Sequence, residues 1–180
     1  MTLNKKNELW LAKLNALHAV IDTVGGDAGW ESSDAVSQTL DNVSKNFEKD
    51  MAALEKEAKF LFSLDSETDD KTQQGADILR KWQLTGAPSL TSLCIFALEN
   101  FNVKLPEDMA QAILISSVLG EVENDLSYHN NMHYRKVLFN VIRLINVHND
   151  IYKTTARAFD AAQIGLLMVA ACIHDLGHDG

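Results

Sequence analysis

The sequence predicts an all-α protein. Apolar residues recur at intervals of three, four and seven along most of the chain, which is the spacing of one helix face. The alternation of apolar and polar residues that marks a half-buried strand is hard to find. The 180 residues include only two prolines, Pro88 and Pro106, so long stretches can continue as helix.

Two helices are predicted before residue 70, and together they form a helical hairpin extension. The first begins near Leu3 and ends at Gly25 and Gly26, since glycine commonly terminates helices. The second spans about 33–64. Two interpretations of its apolar face stay open, namely an intramolecular hairpin and a homodimer through the N-terminal helices. That face is a near-heptad stripe of Val36, Leu40, Val43, Phe47, Met51, Leu54, Ala58 and Leu61.

A polar and acidic stretch at 65–75 predicts a linker, because it has no apolar periodicity. We therefore place a domain boundary near residue 70, which separates segment 1–70 from segment 71–180. Proline and two acids at 106–108 predict a helix start. The helices expected in the second segment cover about 76–84, 89–100, 107–119, 129–147 and 151–180.

Composition excludes several classes of function. The net charge is −9 and the pI about 5.0, which argues against a surface for nucleic-acid polymers or anionic membranes. The N-terminus lacks the apolar core of a signal peptide, and the uncharged run Ala161–Ile173 is too short to span a bilayer. Cys94 and Cys172 lie in apolar helical sequence and are expected to be buried thiols of a reducing compartment. These observations predict a cytoplasmic protein without a membrane span.

Two histidine pairs suggest a metal site. His129 and His133 are four residues apart, so both lie on one face if the segment is helical. His174 and His178 repeat this spacing, and Asp175 follows His174 directly. Either pair alone is weak evidence, but imidazole and carboxylate groups from both segments can converge on zinc or a similar divalent ion. The apolar run before His174 adds weight, since a buried histidine–aspartate pair without partners is costly.

The two histidine segments resemble the signatures of a known enzyme family. Tyr128 to His133, followed by Val137, is similar to the Tyr-His-Asn-x-x-His signature of class I 3′,5′-cyclic nucleotide phosphodiesterases. His174 to Gly180 resembles the His-Asp-x-x-His-x-Gly signature that defines the wider HD superfamily of metal-dependent phosphohydrolases. The resemblance covers about residues 75–180. It implies an all-α, multi-helix phosphodiesterase-like bundle behind the hairpin extension.

The resemblance also implies cofactors and ligands. His133, His174 and Asp175 match three ligands of a tightly held ion, usually Zn²⁺. Asp175 matches the residue that also bridges to a second ion, usually Mg²⁺ or Mn²⁺, and His178 matches a histidine near that second ion. The family's fourth ligand to zinc, an aspartate further along the chain, has no counterpart before Gly180. We therefore expect the sequence to be the N-terminal portion of such a domain and a poor catalyst by itself.

The remaining roles concern the substrate, a cyclic nucleotide. His129 matches the family's general acid, and Tyr128 matches a tyrosine of the substrate pocket. The implied reaction is hydrolysis to a 5′-monophosphate by a metal-bridging hydroxide, with His129 protonating the 3′ oxygen. The sequence does not distinguish cAMP from cGMP. Two alternatives stay open: an HD-type phosphohydrolase for another phosphoester, and a non-catalytic helical interaction module.

Overall fold

The computed structural model describes residues 3–25, 33–57, 62, 68–123, 128 and 130–177. These residues form helices and connecting turns, and no strand occurs among them, which confirms the all-α prediction. In chain order the seven helices of the described residues are α1 (Leu3–Gly25), α2 (Ser33–Glu57), α3 (Thr68–Thr85), α4 (Leu90–Asn100), α5 (Glu107–Glu121), α6 (Asn131–Tyr152) and α7 (Ala161–Ile173).

Helix α4 lies at the centre of the molecule. Every residue from Leu90 to Leu98 is buried, including the hydroxyl-bearing Thr91 and Ser92. Those hydroxyls are satisfied inside the core, because Thr91 shares a hydrogen bond of 2.9 Å with Ser117 of α5 and Ser92 shares one of 2.8 Å with Ser89. A helix that is buried all round must be covered by its neighbours, and α2, α5 and α6 pack against it.

The apolar stripe of α2 is buried within the chain's own core. Its side chains from Val36 to Leu54 are at most 4% exposed, and they share one core cluster with residues of α4 to α7. The structure therefore shows the intramolecular hairpin for this part of the stripe, because its apolar side chains are buried within the chain's own core. Ala58 and Leu61 lie outside the described residues.

Polar contacts connect α1 to α4 and α5. The Trp10 indole N–H donates a hydrogen bond of 2.9 Å to Glu99 at the end of α4. Lys6 pairs with Glu99 as well, and Lys13 pairs with Glu107 at the start of α5. The hairpin extension is thus held by buried apolar side chains on both helices and by the ion pairs of α1.

Several element boundaries differ from the prediction. Helix α3 begins at Thr68, so the predicted linker at 65–75 is helical from that residue onward, and the predicted boundary near residue 70 falls in its first turn. The last helix begins at Ala161 instead of Ile151, because Asp160 and Gln163 form a capping box there. None of the described helices is both long and apolar enough to cross a membrane.

Candidate metal centre

The first turn of α6 positions His133. The Asn130 side chain caps the helix by accepting hydrogen bonds from the backbone N–H groups of Met132 and His133, at 3.0 and 3.1 Å. This cap starts the helix at Asn131, two residues later than predicted, since an asparagine side chain can satisfy N–H groups that have no partner within the helix. His133 therefore projects from a capped and well-anchored turn.

The end of α7 positions the other two residues. His174 follows the last residue of the helix and keeps helical backbone angles, and Asp175 lies in the turn after it. Gly177 closes this turn with a φ of +79°, a left-handed conformation that glycine adopts without strain. Because α6 and α7 pack together, the start of α6 and the end of α7 meet at one end of the pair.

Three potential ligand atoms converge at this meeting point. The Nε2 atoms of His133 and His174 lie 3.1 Å apart. Oδ2 of Asp175 lies 3.1 Å from the first nitrogen and 2.9 Å from the second. Metal–ligand distances of about 2.0–2.2 Å place neighbouring ligand atoms of a tetrahedral or octahedral site roughly 2.8–3.6 Å apart. The triangle therefore fits one divalent ion, and the side chains are partly exposed, so an ion can reach it from solvent.

A backbone hydrogen bond directs His174 toward the triangle. Its Nδ1 lies 3.0 Å from the carbonyl oxygen of Ala171, so this nitrogen carries the proton and donates. The lone pair of Nε2 in the neutral ring then faces the Asp175 carboxylate. Either a proton on Nε2 or a bound cation can lie between these two atoms. Such a second hydrogen bond on a ligating histidine is common at metal sites, where it fixes the tautomer.

Two tyrosines border the cluster. Tyr128, predicted in the substrate pocket, is 68% exposed, and its ring centroid lies 4.8 Å from that of His133. The ring of Tyr134 is buried and lies 5.2 Å from the His174 ring. Burial and the nearby charge of Asp175 raise the pKa of Tyr134, so this phenol stays neutral beside the site. Sequence reasoning gave Tyr134 no role in the site.

The structure brings together three of the six predicted site residues, His133, His174 and Asp175, with Tyr128 beside them. The predicted general acid His129 and the predicted second-ion residue His178 lie outside the described residues. Their roles stay predictions.

A separate cleft lies away from the cluster. This cleft, of about 610 Å³, runs between α2 and the first turn of α6, and Lys49, Asp50, Asn131 and Arg135 are among its lining residues. None of the three cluster residues lines it. The chemistry of converging ligand atoms identifies the candidate site here better than cavity size does.

Comparisons of this chain with protein-family models, curated proteins and solved structures found no match. The likeness to phosphodiesterases therefore rests on the two histidine segments and the helices around them, and the case for a metal centre rests on the geometry of the triangle.

Proposed function

We propose that His133, His174 and Asp175 hold a divalent metal ion and that the protein is an HD-type phosphohydrolase acting on 3′,5′-cyclic nucleotides. The observation that carries the proposal is the triangle of two Nε2 atoms and one carboxylate oxygen with sides of 2.9–3.1 Å. Zn²⁺ suits two imidazoles and a carboxylate, and Mg²⁺ or Mn²⁺ is proposed for a second position near His178.

The geometry of the triangle supports an ion at its centre. The two imidazole nitrogens and the carboxylate oxygen lie 2.9–3.1 Å apart, so one divalent ion can accept a lone pair from each of them. The hydrogen bond from Nδ1 of His174 to Ala171 makes Nε2 the atom through which its neutral ring would bind the ion.

The proposed chemistry divides between the ion and the chain. A bound divalent ion supplies activation of water and neutralisation of phosphoryl oxygens. His133, His174 and Asp175 fix the position of that charge, and the exposed ring of Tyr128 offers a face on which a nucleotide base can stack. His129 is proposed to donate the proton that the departing 3′ oxygen takes up.

Metal binding by the purified chain tests the first part of the proposal. Titration with Zn²⁺, followed by calorimetry, is expected to show one tight site in the wild type and a loss of that site in His133→Ala and in Asp175→Asn. His148→Ala is the matched control, because His148 hydrogen-bonds the backbone oxygen of Arg157 and is not part of the triangle. Equal Zn²⁺ affinity in all four proteins would refute the centre.

Product analysis tests the substrate class. Incubation with cAMP or cGMP in the presence of Zn²⁺ and Mg²⁺ is expected to release 5′-monophosphates slowly, as befits a poor catalyst, and His129→Ala should lower this rate further without lowering Zn²⁺ affinity. Hydrolysis of bis(p-nitrophenyl) phosphate or of nucleoside monophosphates without hydrolysis of either cyclic nucleotide would instead favour a phosphohydrolase for another phosphoester.

A further inference from the structure

The last turn of α5 contacts both helices that lead to the candidate metal centre, α6 and α7. Gly120 packs so closely on α7 that a Cβ atom at this position would lie 2.4 Å from the carbonyl oxygen of Cys172, two residues before His174. On its other side, the carbonyl oxygen of Gly120 accepts a hydrogen bond of 3.1 Å from the side-chain amide of Asn131, two residues before His133. The same amide donates to Val122 at 3.1 Å.

These contacts connect elements that otherwise approach the site from different directions. His133 arrives on α6, whereas His174 and Asp175 arrive on α7. The end of α5 contacts α7 through backbone packing at Gly120 and α6 through the amide of Asn131. We propose that Gly120 is a positioning residue, which sets the separation of the two histidines by allowing α7 to lie against the backbone of α5. This inference rests on the proposed metal centre and assigns how the chain holds its geometry.

A methyl group at Gly120 would displace α7 from α5 by more than a metal site tolerates. A carbon and a carbonyl oxygen in contact lie about 3.3–3.6 Å apart. A methyl group at Gly120 would start at 2.4 Å from the Cys172 oxygen, so the helices would have to separate by about 1 Å. The opposing atom belongs to a helix backbone and cannot rotate away. Metal sites tolerate changes of only about 0.2 Å in ligand distance, so this shift is several times too large for the triangle.

Gly165 provides a matched control on the same helix pair. It lies on α7 and packs against α5, but a Cβ atom there would meet Cγ of Met109 at 2.8 Å. A methionine side chain has several rotatable bonds and can move aside. Both glycines lie inside helices, so alanine brings a similar gain in helix propensity at each. The two substitutions therefore differ mainly in the group that the new methyl contacts, which is helix backbone for Gly120 and a flexible side chain for Gly165.

The experiment compares wild type, Gly120→Ala and Gly165→Ala by two measurements. Proton–proton NOEs between the His133 and His174 rings, whose centroids are 5.2 Å apart, report their separation in the metal-free chain. Titration with Co²⁺, followed by its visible absorption, reports the ligand geometry. Gly120→Ala is expected to weaken the NOEs and to lower Co²⁺ affinity about 10–100-fold, the range seen when supporting contacts of a metal site are lost. Gly165→Ala should match the wild type in both.

The outcomes separate this inference from the metal centre itself. Weakened NOEs in Gly120→Ala alone, with no Co²⁺ binding by wild type, would support the positioning role and refute the centre. Unchanged NOEs and wild-type Co²⁺ affinity in Gly120→Ala would refute the positioning role, and so would equal losses in Gly165→Ala. If Gly120→Ala does not fold, Asn131→Ala replaces it. Its control is Asn140→Ala, whose amide donates to the carbonyl oxygen of Lys136 on its own helix; equal NOEs in these two variants would refute the role.

Discussion

The Nε2 atoms of His133 and His174 lie 3.1 Å apart, although 41 residues separate the two histidines in the chain. This proximity depends on the packing of α6 against α7, since neither helix brings both residues to one place by itself. An ion bound between them should therefore bind the native state and not the unfolded chain. Such a ligand stabilises the fold by mass action.

We expect Zn²⁺ at a hundredfold excess over its dissociation constant to stabilise the native protein by about 2.7 kcal/mol. For a domain of this size that raises the melting temperature by roughly 5–10 °C. Differential scanning calorimetry with and without Zn²⁺ measures the shift, and excess EDTA should reverse it. A shift of the same size in His174→Ala would show that the ion binds elsewhere.

Phe47→Ala is expected to destabilise the whole protein by about 3–5 kcal/mol, the usual cost of removing a fully buried phenylalanine. Phe47 on α2 is 0% exposed and shares a core cluster with α4 to α7. Urea unfolding measures the loss, and Leu84→Ala is the control, because Leu84 is 78% exposed and should change stability by less than about 0.5 kcal/mol. A small effect at Phe47, or a separate early transition, would mean that the hairpin is not part of the same cooperative unit.

The buried carboxyl group of Glu121 should make stability depend on pH. Burial raises the pKa of Glu121 above its usual value of 4.5, and this outweighs the opposing effects of Arg135 and of the hydrogen bond from the Leu90 N–H. The folded state then binds more protons than the unfolded state as pH rises above about 4.5. The contribution of Glu121 to the free energy of unfolding must therefore fall with rising pH until the folded-state pKa is passed.

Urea unfolding of wild type and Glu121→Gln at intervals between pH 4 and pH 8 measures this contribution as a difference. The free energy of unfolding of the wild type should fall relative to that of Glu121→Gln as pH rises, and then stay constant. Glu123→Gln is the matched control, since Glu123 is an exposed carboxyl two residues away. If the wild type instead becomes more stable than Glu121→Gln as pH rises, the pairing of Glu121 with Arg135 outweighs the effect of burial.

The two thiols should be inert in the native protein. Sγ of Cys94 lies 3.5 Å from Sγ of Cys172, and both residues are 0% exposed. The hydrogen bond with Cys172 and complete burial raise the pKa of the Cys94 thiol, and the thiol form is a poor nucleophile. We expect negligible reaction with DTNB at pH 8 and release of two thiols per chain in urea. Rapid reaction under native conditions would show that α4 and α7 open readily.

The helical class and most helix cores could be predicted because they depend on local patterns. The stripe from Val36 to Leu54 is visible in the sequence, and its burial follows from its spacing. What covers it depends on tertiary packing, so the choice between hairpin and dimer could not be made from the stripe itself. The helical start at Thr68 was missed because polarity was taken as a linker signal, although polar residues are well tolerated in an exposed helix.

The convergence of three candidate site residues was predictable from the sequence, but the contacts that position them were not. The spacing of His133, His174 and Asp175 indicated convergence, and the structure brings their ligand atoms within hydrogen-bonding distance. The close approach of Gly120 to Cys172 left no pattern in the sequence, because a glycine inside a helix has several structural explanations. The cap formed by Asn130 was readable in principle, since asparagine before an amphipathic run is a helix start signal.

The backbone hydrogen bond from His174 Nδ1 to Ala171 has a consequence for the order of events in folding. Its acceptor is the carbonyl three residues earlier, so it can form as soon as the end of α7 is helical, before α6 docks. One imidazole is then already in the form that binds metal while His133 is still distant. Joining the two with an ion closes a loop of 41 residues, and a permanent cross-link of that length would restrict the unfolded chain by about 4 kcal/mol. The proposed ion would thus act as a reversible cross-link between α6 and α7, which forms when metal is present and is removed by a chelator.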